Sequence, residues 1–379
     1  MRNAPPPPPI KILAVTPVLV KGTRGYDAWV LVRIQTDQGI EGIGECFSWA
    51  WSSLHNALQV RDAVQSIGHQ LQGKDPLQIR TFLNRFGSQG VGRHWFAATS
   101  GIEIAIWDIL GQVAGLPIYA LLGGRIRDWV PLYANHGVFG AARTLPERVE
   151  RALQIKEAGF HLFKWDPFGG IQGEADKVRL RAVIGEIQAF RKQLGPDFKL
   201  AIDAHGRFGL QGALTMAKEL EPFNIAFFEE PLASDQHEHL NQLANTSSIP
   251  IAVGEHIYTR RGFKQALDTG AVRVLQPEVG TDGGILETVK VAAMAEVYDA
   301  SVAPHNWCGP VVTLATAHVC AVIPNLLCME YAATAAEDRW EDDLLVPPIQ
   351  VERGELVLSD RPGLGSRLNE AVLAARRLD

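Results

Sequence analysis

The sequence predicts an α/β protein, a parallel (β/α) barrel joined to a smaller α+β unit. Three observations carry that prediction. Eight short apolar runs begin near Pro131, Leu162, Leu200, Ala226, Pro250, Arg273, Ser301 and Leu327, with amphipathic stretches between them. Successive starts lie 31, 38, 26, 24, 23, 28 and 26 residues apart, each room for one strand, one helix and two loops. Apolar runs that do not alternate with polar residues suit parallel strands covered by helices, and eight such units suit a closed barrel. The residues before Pro131 follow a different rhythm, closer to a meander with helices.

In chain order, Met1, Arg2 and Pro5 to Pro9 read as an extended polyproline arm rather than a helical leader. Ile10 to Val20 and Ala28 to Thr36 have strand patterning, Asp37-Gln38-Gly39 marks a hairpin turn, and Gly42 to Glu45 closes the meander. Ile102, Ala105, Ile106, Ile109, Leu110 and Val113 recur at helical steps. Ser100 and Glu103 are expected to form a capping box at its start, and Gly115 with Pro117 to end it. After the barrel, Pro347-Pro348, a hairpin around Glu352-Arg353-Gly354 and a short terminal helix form a tail expected to return to the N-terminal unit. The expected division is 1–128 for the capping domain, 129–338 for the barrel and 339–379 for the returning segment.

Composition narrows the function classes. With 36 basic and 42 acidic side chains the net charge is −6, and no block of five to eight Lys or Arg occurs, so nucleic acid is not an expected partner. The stretch Ile10 to Val20 carries Lys11 and Pro17 and is too short to cross a bilayer, so no membrane partner is expected. Cys46, Cys308, Cys320 and Cys328 lack zinc-knuckle spacing and read as reduced, buried thiols. A cytoplasmic enzyme, a homo-oligomer acting on a small molecule, is the expectation.

Functional groups of such a barrel gather at the C-terminal ends of its strands. Those positions carry Lys164 and Asp166, Asp203 and His205, Glu229, Glu255, Glu278, His305 and Glu330. Carboxylates buried at one mouth require cations. Asp203, Glu229 and Glu255 are spaced 26 and 26 residues apart, one per consecutive strand, a hard-oxygen set suited to Mg²⁺. By strand alternation Glu230 should point away from the mouth if Glu229 points in, and His205 should share the face of Asp203. His305 beside Glu278 suits a general base oriented by a carboxylate, with Asp282 as the other candidate partner.

These residues, with Gly42-Ile43-Gly44-Glu45, the helix from Ser100 to Asp108 and Leu121-Leu122-Gly123-Gly124, resemble the mandelate racemase subgroup of the enolase superfamily over essentially the whole chain. The resemblance implies a (β/α)7β barrel under an α+β capping domain, Mg²⁺ on Asp203, Glu229 and Glu255, and a catalytic His305. Two departures bear on subclass. The second lysine of the racemases' Lys-x-Lys pair is replaced in Lys164-Trp165-Asp166, and Asp203-x-His205 is similar to sugar acid dehydratases of the galactonate dehydratase kind.

The resulting expectation is an Mg²⁺-dependent dehydratase of a sugar acid giving a 2-keto-3-deoxy acid. His305 is the base and His205 the acid. Lys164 and a protonated Glu330 stabilise charge on the substrate carboxylate, although Lys164 could equally pair with Asp166. Asp166, Trp49 and His136 are expected to touch substrate, with the loops Lys21 to Tyr26 and Phe47 to Trp51 closing over it; Trp49 and Trp51 could equally be core. An epimerase, racemase or cycloisomerase on the same scaffold is the competing enzyme, and a non-catalytic metal or ligand binder the competing class.

Overall fold

The structure is a computed structural model that describes residues 9–22, 28–47, 54–87, 92–139, 142–169, 171, 173, 177–332 and 340–378. The N-terminal strands β1 (Ile12–Lys21), β2 (Ala28–Thr36) and β3 (Glu41–Cys46) form an antiparallel sheet in that order. Three helices, α1 (Leu54–Leu71), α2 (Ile79–Phe86) and α3 (Arg93–Ala114), follow, then the single turn α4 (Ile118–Leu121). β3 lies directly on α3 because Gly42 and Gly44 have no side chain. A Cβ at either position would run into the α3 backbone at Ala105 or Gly101.

Helix α3 begins seven residues before the expected cap. Ser100 is inside it, its hydroxyl donating to the Phe96 carbonyl at 2.9 Å. Glu103 reaches away to another helix, accepting the N–H groups of Ile285 at 2.8 Å and Leu286 at 3.0 Å. The capping-box pattern was therefore met by residues with other partners. Gly115 does end the helix, in a left-handed conformation with φ 66°.

Eight parallel strands then follow: β4 (Trp129–Ala134), β5 (Leu162–Trp165), β6 (Lys199–Asp203), β7 (Ile225–Glu229), β8 (Ile251–Val253), β9 (Val272–Leu275), β10 (Ser301–Val302) and β11 (Met329–Tyr331). Each starts within two residues of its predicted run. They pair in chain order, β11 pairs β4, and the last seam is bridged by Val302 and Leu326, so the sheet closes. The crossovers are α5 (Leu145–Glu157), α6 (Lys177–Leu194), α7 (Leu210–Leu220), α8 (His237–Ala244), α9 (Thr259–Asp268), α10 (Ile285–Val297) and α11 (Pro310–Val322).

Inside the barrel a separate apolar cluster takes one residue from each strand or its immediate flank: Tyr133, Leu162, Ala201, Phe227, Ala252, Val274, Ala303 and Cys328. Alternation then places the residue two further on over this plug. Those residues are Asn135, Lys164, Asp203, Glu229, Gly254, Gln276, His305 and Glu330. All of these but Gly254 carry polar side chains, so a polar ring rests on an apolar floor, and the ring is the mouth of the barrel.

The tail serves both parts. β12 (Leu345–Val346) pairs β15 (Arg367–Leu368), and the hairpin of β13 (Val351–Glu352) and β14 (Glu355–Val357) lies antiparallel to β4. After α12 (Glu370–Arg376), the N–H of Leu378 donates to the Leu19 carbonyl at 2.9 Å. None of the four cysteines is in a disulfide, and all are buried. Among the described residues no helix is long and apolar enough to cross a membrane.

Candidate active site

The polar ring is held by charge. Lys164, 2% exposed, places Nζ 2.8 Å from Glu229 Oε1, 3.2 Å from Asp203 Oδ2 and 3.3 Å from Glu330 Oε1. Burial opposes its charge, yet Glu229 and Glu330 hold its pKa well above the usual lysine value. It makes no pair with Asp166; its partners are across the mouth because Asp166 lies beyond the end of β5. Gln276 Nε2 donates to the second oxygen of Glu229 at 2.5 Å. Burial, then the negative Asp203, push Glu229 well above the ordinary carboxylate range.

On one side of the mouth His305 Nδ1 lies 2.8 Å from Glu278 Oε2, while Asp282 accepts from the Thr288 hydroxyl instead. His305 Nε2 is 3.0 Å from Glu255 Oε2 and 3.8 Å from Glu330 Oε2. Burial disfavours the imidazolium, but Glu330 and Glu255 outweigh it and raise the His305 pKa well above its ordinary value. Phe47 of the capping unit sits with its ring centroid 5.6 Å from that of His305. It also donates its N–H to the Gly280 carbonyl, so the cap touches the strand-end loop beside Glu278.

Glu330 does not match the protonated donor that the sequence suggested. Asn135 Nδ2 donates to one oxygen at 2.9 Å and the Asn306 N–H to the other at 3.0 Å. Burial favours the neutral acid, but Lys164, His305 and these donors hold its pKa down to about 2. It is an acceptor.

On the opposite side, four strands round the ring, His205 Nδ1 lies 3.2 Å from Asp166 Oδ2, and Nε2 lies 3.4 Å from Asp203 Oδ2. Burial lowers the pKa of this ring, while Asp203 and Asp166 raise it to about 10. Asp166 takes Arg207 Nη2 at 2.6 Å on the same oxygen and the Phe168 N–H at 2.8 Å on the other. Both of its oxygens are engaged by protein.

Alternation set His205 beside Asp203, where it is found, but misplaced Glu230. His205 and Glu230 both lie past the end of a strand at positive φ, 48° and 35°. Glu230 is consequently buried at the mouth, accepting from Ser234 Oγ at 2.9 Å and His256 Nδ1 at 2.9 Å. Its second oxygen is 2.8 Å from the same His256 nitrogen, which also lies 3.2 Å from Glu255 Oε1. Among the described residues Glu230, Glu255 and His256 bring metal-ligating atoms within 4.8 Å of one another, a set that shares only Glu255 with the predicted triad. Asp203 and Glu229 lean toward Lys164, and Glu255 toward His305 and His256. Of the remaining expectations, Trp49, Trp51 and residues 23–27 lie outside the described residues, and so does the side chain of His136, which begins the 3-10 turn His136–Phe139.

Residues 10–123 match the mandelate racemase/muconate lactonizing enzyme N-terminal domain family, and residues 147–372 match the enolase C-terminal domain-like family. The chain belongs to the enolase superfamily. Within this superfamily it is similar to D-galactonate dehydratases. The protein from Variovorax paradoxus (strain S110) is 34% identical over 90% of this chain and 89% of its own. That from Cronobacter sakazakii is 32% identical over 92% and 91%. The solved mandelate racemase/muconate lactonizing enzyme from Jannaschia sp. CCS1 superimposes with a TM-score of 0.87 at 30% identity, covering 97% of this chain and 98% of its own. The enolase superfamily member described here is an enzyme, a dehydratase or hydro-lyase.

Sequence reasoning missed several members of this superfamily site. Asn135 and Gln276 were available from alternation, each two residues beyond an apolar plug residue. Arg207 follows His205 by two, but its target Asp166 is on the preceding strand unit, a pairing that only the barrel's closure brings about. His256 was hidden next to a more conspicuous Glu255.

Proposed function

We propose that this protein dehydrates a sugar acid, removing the proton next to the carboxylate and the 3-hydroxyl to give a 2-keto-3-deoxy acid. The observation that carries the reading is the pair of imidazole–carboxylate couples on opposite sides of one polar ring, Glu278–His305 and Asp166–His205. A binding protein has no use for two such couples, and the substrate class is supported by the likeness to D-galactonate dehydratases.

His305 Nε2 takes the proton from C2, its ring held by Glu278 at Nδ1. The C2–H electrons move onto the carboxylate, where Lys164 Nζ meets the growing negative charge. They then return to form the C2–C3 double bond as the C3–O bond breaks. His205 Nε2 gives its proton to the departing oxygen, which leaves as water. The 2-hydroxy enol that remains tautomerises to the ketone. Glu330, ionised, keeps Lys164 in place and does not itself donate.

Asp203, Glu229 and Glu255 would hold a divalent cation, and Mg²⁺ fits their chemistry: three buried carboxylates from three neighbouring strand ends, all hard oxygen donors. When bound, the ion polarises the substrate carboxylate and offsets the negative charge that keeps a proton on His305. The competing ligand set, Glu230, Glu255 and His256, makes a separable prediction. Calorimetric Mg²⁺ titration should show binding weakened at least tenfold in Asp203→Asn and little changed in Glu230→Gln, and the reverse result moves the ion to the other set.

The activity test is a panel of sugar acids, D-galactonate included, assayed with Mg²⁺ for 2-keto-3-deoxy product. His305→Asn should abolish exchange of the C2 proton with solvent deuterium. His205→Asn should lower product formation by ~10²-fold or more while retaining exchange. Exchange without product in the unaltered protein would make it an epimerase and overturn the dehydratase reading.

A further inference from the structure

Asp166 and Arg207 stand where the superfamily resemblance offered no role for them. The guanidinium spans two strand ends: Nε donates to the Ala204 carbonyl at 2.9 Å, and Nη2 to Asp166 Oδ2 at 2.6 Å. Its own backbone is fixed by the Gly173 N–H on its carbonyl at 2.9 Å and a bridge to Leu232. Asp166 is fixed in turn by the Phe168 N–H on Oδ1. The oxygen facing His205 therefore has a set position before the ring meets it. Arg207 Nη2 also lies 3.4 Å from His205 Nδ1. The carboxylate can only accept, so Nδ1, 3.2 Å from Asp166 Oδ2, carries its hydrogen toward that oxygen, and Arg207 Nη2, also a donor, meets the same oxygen rather than the ring. Nε2 is left as the atom facing the ring of ligands, while the His205 N–H is held by Asp203 Oδ1 at 3.0 Å.

We propose that Arg207 and Asp166 are positioning residues that act in series on His205, the guanidinium setting the carboxylate and the carboxylate setting the ring, so that Nε2 delivers the proton to the departing 3-hydroxyl. The proposal rests on the dehydratase reading of this site. It gives the Lys164-Trp165-Asp166 departure a purpose: where racemases of the superfamily place a second lysine, this chain places the anchor of a general acid. The step itself is balanced as above, one proton leaving Nε2 and one C–O bond breaking to release water. A lysine could not replace Arg207, since a single ammonium cannot hold the Ala204 carbonyl and Asp166 together in the geometry of the planar fork.

The test compares the aldonate turned over fastest in the panel with its 3-deoxy-3-fluoro analogue, whose fluoride leaves without needing a proton. Asp166→Asn and Arg207→Ala should each lower kcat on the parent acid by about 10- to 100-fold, with KM within about threefold. On the fluoro analogue both should fall within about threefold of the unaltered enzyme. Arg207→Lys should recover only part of the loss. Equal losses on both substrates, or a raised KM at unchanged kcat, would overturn the proposal, the latter by making these residues substrate contacts. His205→Asn separates the two levels. Full turnover in that variant refutes the acid assignment, whereas its loss alongside unimpaired Asp166→Asn and Arg207→Ala refutes only the positioning. A crystal structure of Asp166→Ala gives a readout independent of turnover: the His205 ring should rotate or lose order, and an unmoved ring overturns the proposal.

Discussion

Buried carboxylates occur in two places in this molecule, and they are satisfied in two different ways. At the seam between cap and barrel the partners are backbone amides. Glu45 accepts from the N–H groups of Gly309, Val311 and Val312 at 2.6, 3.0 and 3.1 Å, closing the start of α11. Glu103 does the same for α10, while Asp108, between the cap and the returning tail, accepts from Ile43 at 3.1 Å and Leu364 at 2.9 Å. At the mouth, beside Asn135, Gln276, Ser234 and the Asn306 N–H, the partners include Lys164, His205, His256 and His305, side chains that carry protons and can exchange one carboxylate for another. A carboxylate fixed by amides at a helix start is a fastener. One fixed by titratable cations is available for chemistry. The two helices fastened from the cap are those that follow β9 and β10, the strands leading to Glu278 and His305, so the fasteners hold the working dyad from behind.

The comparison breaks most visibly if the mouth is stripped of its ammonium. Lys164→Met keeps the volume but leaves Asp203, Glu229 and Glu330 facing one another, and should cost about 3–5 kcal/mol in denaturant unfolding. Turnover should fall by at least ~10²-fold. Mg²⁺ should restore part of the stability, since the freed carboxylates gain a cation; indifference to Mg²⁺ would count against the triad as its ligands.

At the seam, Glu45→Ala orphans three N–H groups at the start of α11 and should cost about 2–3 kcal/mol. These three donors are backbone amides at the helix start rather than members of the ring, so kcat and KM of the folded enzyme should stay within about threefold. A collapse of kcat at unchanged stability would erase the distinction between fastener and working group.

The same distinction explains what could be read from the sequence. Strand starts were legible because apolar runs recur at the barrel's repeat, and Asp203, Glu229, Glu278 and His305 because each lies at the end of such a run. The polar ring was implicit too, since every member sits two residues beyond a plug residue. The failures began where strands ended. Glu230 takes positive φ, and no alternation rule extends past that point. The state of Glu330 depended on Lys164 and His305 converging from two other strands. Ser100 and Glu103 matched a local cap pattern, but the donors Glu103 serves are about 180 residues away in the chain. Local signals placed residues on elements; partners supplied by closure of the barrel and docking of the cap had no local signal.

The smallest expected effect is a pH dependence at the seam. Burial lifts the carboxyl of Glu103 from its ordinary value to about 7, against the pull of the Leu286, Ile285 and Trp107 donors. A group whose folded pKa is raised binds more protons in the folded state between roughly pH 4.5 and 7. Its contribution to stability is complete below that window and is lost as pH rises through about 7. Glu103→Gln removes the titration. One side-chain amide hydrogen then faces a backbone donor, a cost of about 1–2 kcal/mol that pH does not change. The variant should therefore be more destabilising at pH 5 than at pH 8, by on the order of 1–3 kcal/mol. Paired denaturant curves at the two pH values measure the difference. A penalty larger at pH 8 would mean that the helix amides hold Glu103 ionised throughout, a fastener stronger than its burial.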